Sequence, residues 1–73
     1  MDDILKVKAA LWAIGHIATS ESGATLVSSS LPHICHLARE CPVLSIRGTA
    51  FHALSLYATT RTGAGILEEN GNI

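Results

Sequence analysis

Near the start of the chain, Val7, Leu11, Ile14 and Ala18 fall at i, i+4, i+7 and i+11, and Ala10 and Ile17 widen the stripe. This is one face of a helix at 3.6 residues per turn, and it predicts a helix from Asp3 to Thr19. Asp2 or Asp3 can cap its start, where an acid also suits the helix dipole. The polar run TSESG ends it, and Ser22 can cap a short helix in GATLVSSS. LPHICHLAREC predicts a further helix with Pro32 in its first turn, where a missing N–H costs nothing. Pro42 then breaks the chain after Cys41. A second long helix is expected from about Val43 to Thr60, with Ala50, Phe51, Leu54 and Tyr57 on one face. Thr62 can cap a last short helix, GAGILEEN, with Gly71 as its stop. No stretch combines period-2 alternation with strand-like composition and turn signals, so the expected class is all-α with about five helices.

The two long segments match each other. Shifting the chain by forty places lays Ala10, Ala13, Ala18, Thr19, Gly23 and Ala24 on Ala50, Ala53, Ala58, Thr59, Gly63 and Ala64. In the same register Leu11 falls on Phe51, Ile14 on Leu54, Ile17 on Tyr57 and Leu26 on Ile66. A helical repeat near forty residues is the signature of armadillo and HEAT solenoids. The order of helices corresponds to a third helix, one complete repeat and the first helix of the next, about one and a half repeats of a larger scaffold. Ala9, Ala10, Ala13, Gly15 and Ala18 let neighbouring helices approach closely. Gly15 costs about 1 kcal/mol against Ala in a helix interior, and close packing is what would offset it. Gly48, in the first turns of the second long helix, is expected to permit close contact with the preceding helix.

Composition sharpens this picture. Of 73 residues, 48% are hydrophobic and 15% charged, more apolar surface than a free-standing chain of this size hides. The expectation is a segment with exposed apolar end faces, which associates or stays loosely packed when isolated. Net charge is −1, and the five basic residues are scattered, so no basic stripe offers itself to nucleic acid. Cys35 and Cys41 are too few for a disulfide scaffold and read as reduced thiols of an intracellular protein. MDDILKVKAA lacks a signal-peptide apolar core, and no 18-residue apolar run could span a membrane.

KAALWAIGHIA resembles the armadillo third-helix pattern, in which an Ala-rich helix carries Trp and, four residues later, Asn. More narrowly, VKAALWAIGHIATSESG followed by CPVLSIRGTAFHALSLYATTRTGAGIL resembles the rictor family over nearly the whole length. LSIRGT, joined to a helix ending in a T-x-x-G turn, is the most distinctive part. The resemblance implies a non-catalytic helical-repeat scaffold subunit of TOR complex 2, with protein partners and no cofactor. It also implies a cytoplasmic location, or one peripheral at membranes as part of a complex.

Trp12 and His16 are the leading contact candidates. Armadillo proteins that grip extended peptides repeat a Trp–Asn ladder on successive third helices. Here Trp12 corresponds to His52 and His16 to Leu56, and Leu56 cannot bond a peptide backbone. The broken ladder favours a packing or domain contact over a peptide-binding adaptor. Arg47 is either a guanidinium offered to a partner or, by preference, a side chain snorkelling onto the groove of the neighbouring repeat. Thr49 can bond back to a carbonyl one turn earlier. The protein-contact set is Trp12, Gly15, His16, Arg47 and His52. His33, Cys35, His36 and Cys41 lie within nine positions, but Cys35 sits about 200° round a helix from His33, and no zinc-type pair of pairs is present. No nucleophile motif accompanies either cysteine, and the acids lie at helix ends, so no catalytic residue is expected.

Overall fold

A computed structural model describes residues 2–70. Five helices follow one another: α1 (Asp2–Ile17), α2 (Glu21–Leu26), α3 (Leu31–Glu40), α4 (Leu44–Tyr57) and α5 (Arg61–Asn70), with one 3-10 turn at Ser28–Ser30. No strand occurs among the described residues. The expected order and number of helices are those observed, and the chain is an all-α helical-repeat fragment.

The boundaries differ from expectation in an instructive way. α1 and α4 stop at Ile17 and Tyr57, two and three residues early. The hydroxyls of Thr19 and Thr59 fold back onto the carbonyls of His16 and Leu56 at 2.6 and 2.7 Å, taking up acceptors left free at the helix ends. The caps are Ser20 and Thr60, not Ser22 and Thr62. Ser20 is extended, with φ −118° and ψ 157°, and its Oγ accepts from the Gly23 N–H at 3.0 Å. Thr60 Oγ1 accepts from the Gly63 N–H at 2.9 Å. Three residues of reach, from cap to N3, is the standard geometry. Asp3 lies inside α1, while the side chain of Asp2 and the expected stop at Gly71 lie outside the described residues.

Elements forty residues apart pack together: α1 lies against α4 and α2 against α5, while α3 covers α4. The molecule measures 34 × 22 × 17 Å, two helix layers thick. The core runs between the layers and contains Leu11, Leu31, Ile34, Leu54 and Tyr57. Pro32 occupies the first turn of α3, as its fixed φ allows.

Corresponding positions in the two units are not equally covered. Leu11 is 3% exposed, but its counterpart Phe51 is 48% exposed. In the opposite sense, Ile17 is 43% exposed and its counterpart Tyr57 is 0%. Ala10 is likewise open where Ala50 is sealed, and Ala18 is sealed where Ala58 is open. Phe51 therefore does not share the buried face of Ala50, Leu54 and Tyr57, and Ala10 and Ile17 do not extend the buried stripe of α1. Each of these four uncovered residues, Phe51, Ile17, Ala10 and Ala58, occupies a position that the other unit covers.

The glycines separate the same way. A Cβ on Gly15 would stand 2.8 Å from Leu56 Cδ1 and 3.3 Å from the Ala53 Cα, so this glycine does set the close approach of α1 and α4. Gly48 is exposed with nothing within 4 Å of an added Cβ, so it permits no contact, contrary to expectation.

Candidate functional site

Trp12 and His16 are four residues apart on α1 and so share one face. Their rings stack at 5.7 Å with an interplanar angle of 21°. α4 runs parallel to α1 one repeat away, which sets His52 beside its own counterpart, Trp12. Their centroids are 4.4 Å apart with the rings tilted by 47°. Three of the five expected contact residues thus form one cluster across the α1–α4 seam. All three are exposed, Trp12 to 42%.

Gly15 lies at the base of this seam, buried, where its missing side chain lets Leu56 in. Leu56 is half-buried and spends its side chain on that contact. The position that would continue a peptide-gripping ladder is therefore occupied by helix packing. Arg47 stands apart from the cluster. Its Nε donates to the carbonyl of Ala38 at 3.4 Å, in the last turn of α3, where a cation also suits the helix dipole. Thr49 Oγ1 donates to the Ser45 carbonyl at 2.9 Å, as expected.

The chemistry available at the seam is that of recognition. An indole face flanked by two imidazoles offers apolar area together with ring N–H and nitrogen acceptor groups, the mixture enriched at protein interfaces. The thiols offer little reactivity. Cys35 is buried in the core, and burial pushes its pKa up, away from the thiolate form a nucleophile needs. His36 Nδ1 pairs with Glu40 at 3.0 Å on the outer surface, and His33 lines a different groove. Among the described residues, no three His, Cys, Asp or Glu side chains come together as metal ligands.

Sequence reasoning missed the coupling at Glu21. This first residue of α2 reaches forty places along the chain to cap α5. Its carboxylate accepts from the backbone N–H of Arg61 at 2.8 Å, from that of Thr62 at 3.2 Å, and from the Thr62 hydroxyl. Those bonds, the Thr62 hydroxyl first, hold the Glu21 pKa below its usual value of 4.5. A depressed carboxylate stabilises the fold above its unfolded pKa, and that contribution is lost as the pH falls below 4.5. NMR titration should find Glu21 ionising below 4.5, and Thr62→Val should move its pKa upward. The available signal was the register itself, which sets an acid at a helix start one repeat before another helix start.

With this geometry in hand, the relatives are informative. A family model described as rapamycin-insensitive companion of mTOR, domain 5, matches residues 5–71. The chain is 46% identical over 69 residues to the rapamycin-insensitive companion of mTOR of Mus musculus, covering 92% of this chain and 4% of that protein. It is 42% identical over 71 residues to the target of rapamycin complex 2 subunit TSC11 of Saccharomyces cerevisiae, covering 94% and 5%. It is 37% identical over 67 residues to the target of rapamycin complex 2 subunit ste20 of Schizosaccharomyces pombe, covering 89% and 5%. The chain thus spans only 4% of the mouse relative and 5% of each yeast one. No solved structure matches it. A match to the family model over nearly its whole length, with the forty-residue register visible in the fold, places the chain in the family of the rapamycin-insensitive companion of mTOR, the rictor family.

Proposed function

We propose that this chain is a non-catalytic scaffold segment of a TOR complex 2 subunit. It is one armadillo/HEAT-like stretch within a much longer protein, acting in the cytoplasm or peripherally at membranes within the complex. Its work is of two kinds: stacking between neighbouring repeats, and offering the Trp12–His16–His52 surface to a protein partner. The observation that carries this reading is the complementary exposure of equivalent positions, Leu11 against Phe51 and Tyr57 against Ile17. A self-contained domain has no reason to leave open the positions that its own repeat seals. The relatives named as complex 2 subunits supply the assembly. Left alone, the same open faces would bring copies of the chain together.

The test is a full-length subunit carrying Trp12→Ser with His52→Ser. Both side chains are exposed, so the fold should survive. Recovery of the TOR kinase with this subunit should fall by about tenfold, the effect of losing roughly 1.4 kcal/mol at an aromatic anchor. Unchanged recovery would remove the seam from the contact surface. The alternative, a peptide-binding adaptor, draws support from the exposed indole and is weakened by Leu56. An affinity of the isolated chain for extended peptides, abolished by Trp12→Ala, would favour it.

A further inference from the structure

On the opposite side of α1 from Trp12, a groove of about 390 Å³ opens between α1 and α3. Ala10 and Ile14 form one wall, Leu37 lies on the other, and the buried Leu11 and Ile34 form its floor. Ser30 and His33 supply a polar rim. The groove is thus continuous with the core, and an apolar floor of this kind is expected to be covered.

The repeat identifies the cover. Ala10, Ile14 and Ile17 of α1 correspond to Ala50, Leu54 and Tyr57 of α4. All three α4 residues are sealed, and α3 is the helix packed along α4. α3 presents Leu31, Ile34, Cys35 and Ala38 as its buried face, at i, i+3, i+4 and i+7. On α1 the corresponding Ala10 and Ile17 stand open, and Ile14 is only partly covered. We infer that the α1–α3 groove is the seat of an amphipathic helix of the α3 type. That helix is supplied by the repeat stacked before this one, and it packs on α1 as α3 packs on α4. The inference rests on the proposed scaffold reading, and the length of the relatives, of which this chain spans 4–5%, leaves ample chain to supply the helix.

Two substitutions and one probe test it. A synthetic peptide of residues 29–41, the α3 segment itself, should bind the 73-residue chain, followed by NMR shifts at Ala10, Ile14 and Leu37. Ala10→Trp, which fills the groove from an exposed position, should weaken that binding by about tenfold or more. Absence of binding to a chain with native helicity overturns the inference, as does binding that Ala10→Trp leaves unchanged. In the full-length subunit, Ala10→Cys should react with a maleimide about tenfold more slowly than in the 73-residue chain, because the seat is filled. Equal rates would mean an empty groove and would overturn the inference without touching the Trp12–His52 contact. Dimers through Ala10 and Ile14 that persist in the full-length subunit would assign the groove to a second copy instead, and would also overturn it.

Discussion

Gly23→Ala should lower the unfolding free energy by about 3 kcal/mol, and Gly63→Ala by a similar amount. The cause is backbone against side chain. A Cβ on Gly23 would collide with the carbonyl oxygen of Ile17, and one on Gly63 with that of Tyr57. Neither carbonyl can move freely, because each belongs to the last turn of a long helix whose opposite face is packed. The glycine amides also hold the caps Ser20 and Thr60 in place, so relief of the collision would break the cap. A chain of this size has roughly 3–5 kcal/mol of net stability, so either substitution should leave it largely unfolded in a urea titration followed by circular dichroism. Gly48→Ala and Gly65→Ala are the controls, since an added Cβ meets nothing within 4 Å at either place. Gly48→Ala, in the interior of α4, should stabilise by about 0.5–1 kcal/mol through helix propensity. Equal effects at Gly23 and Gly48 would refute the collision.

Tyr57→Ala should cost about 3–5 kcal/mol, because the largest fully buried side chain would leave a cavity between the layers. Tyr57→Phe isolates the hydroxyl. That group donates to the Val27 carbonyl at 2.7 Å, tying the end of α4 to the end of α2. The Ser30 N–H also reaches this carbonyl, at 3.1 Å, so it keeps a partner and the loss should be only about 1 kcal/mol. Tyr57 also predicts a pH dependence. Burial pushes its pKa from 10.0 up to about 12, so the folded state keeps the phenol neutral when the unfolded chain would ionise it. Stability from this group is fully present below pH 10.0 and declines as the pH rises from there to about 12. Denaturation midpoints measured across that window should fall in the parent chain, and this component should be absent from Tyr57→Phe.

The helical class, the order of elements and the forty-residue register were legible because periodic apolar spacing survives any local detail. The direction in which each stripe faces was not. Phe51 and Ile17 match buried positions in the other unit, and a pattern marks what can be covered, not what covers it. The caps were misassigned because TSESG and TTRTG each hold several hydroxyls. The deciding sign was the glycine three residues after the true cap, which the collision with the preceding helix demands. Gly48 was misread in the opposite sense: a helical glycine is no proof of close approach, and only neighbouring atoms distinguish it from Gly15. At the contact seam, the register correctly paired Trp12 with His52. The same register did not tell that Leu56 would turn down onto Gly15, that Arg47 would reach the end of α3, or that Glu21 would cap α5, since each depends on packing between units.

The central claim is that this chain is a stacked segment whose end faces are covered in the whole subunit while the Trp12 seam remains available to a partner. Hydroxyl-radical footprinting reads this directly, because Trp12, Phe51 and Ile17 are all oxidisable and all exposed in the chain alone. In the full-length subunit, Phe51 and Ile17 should be shielded by neighbouring repeats while Trp12 stays reactive, and Trp12 should become shielded when the TOR kinase is bound. Phe51 and Ile17 reacting as fast in the full-length subunit as in the 73-residue chain would contradict the account.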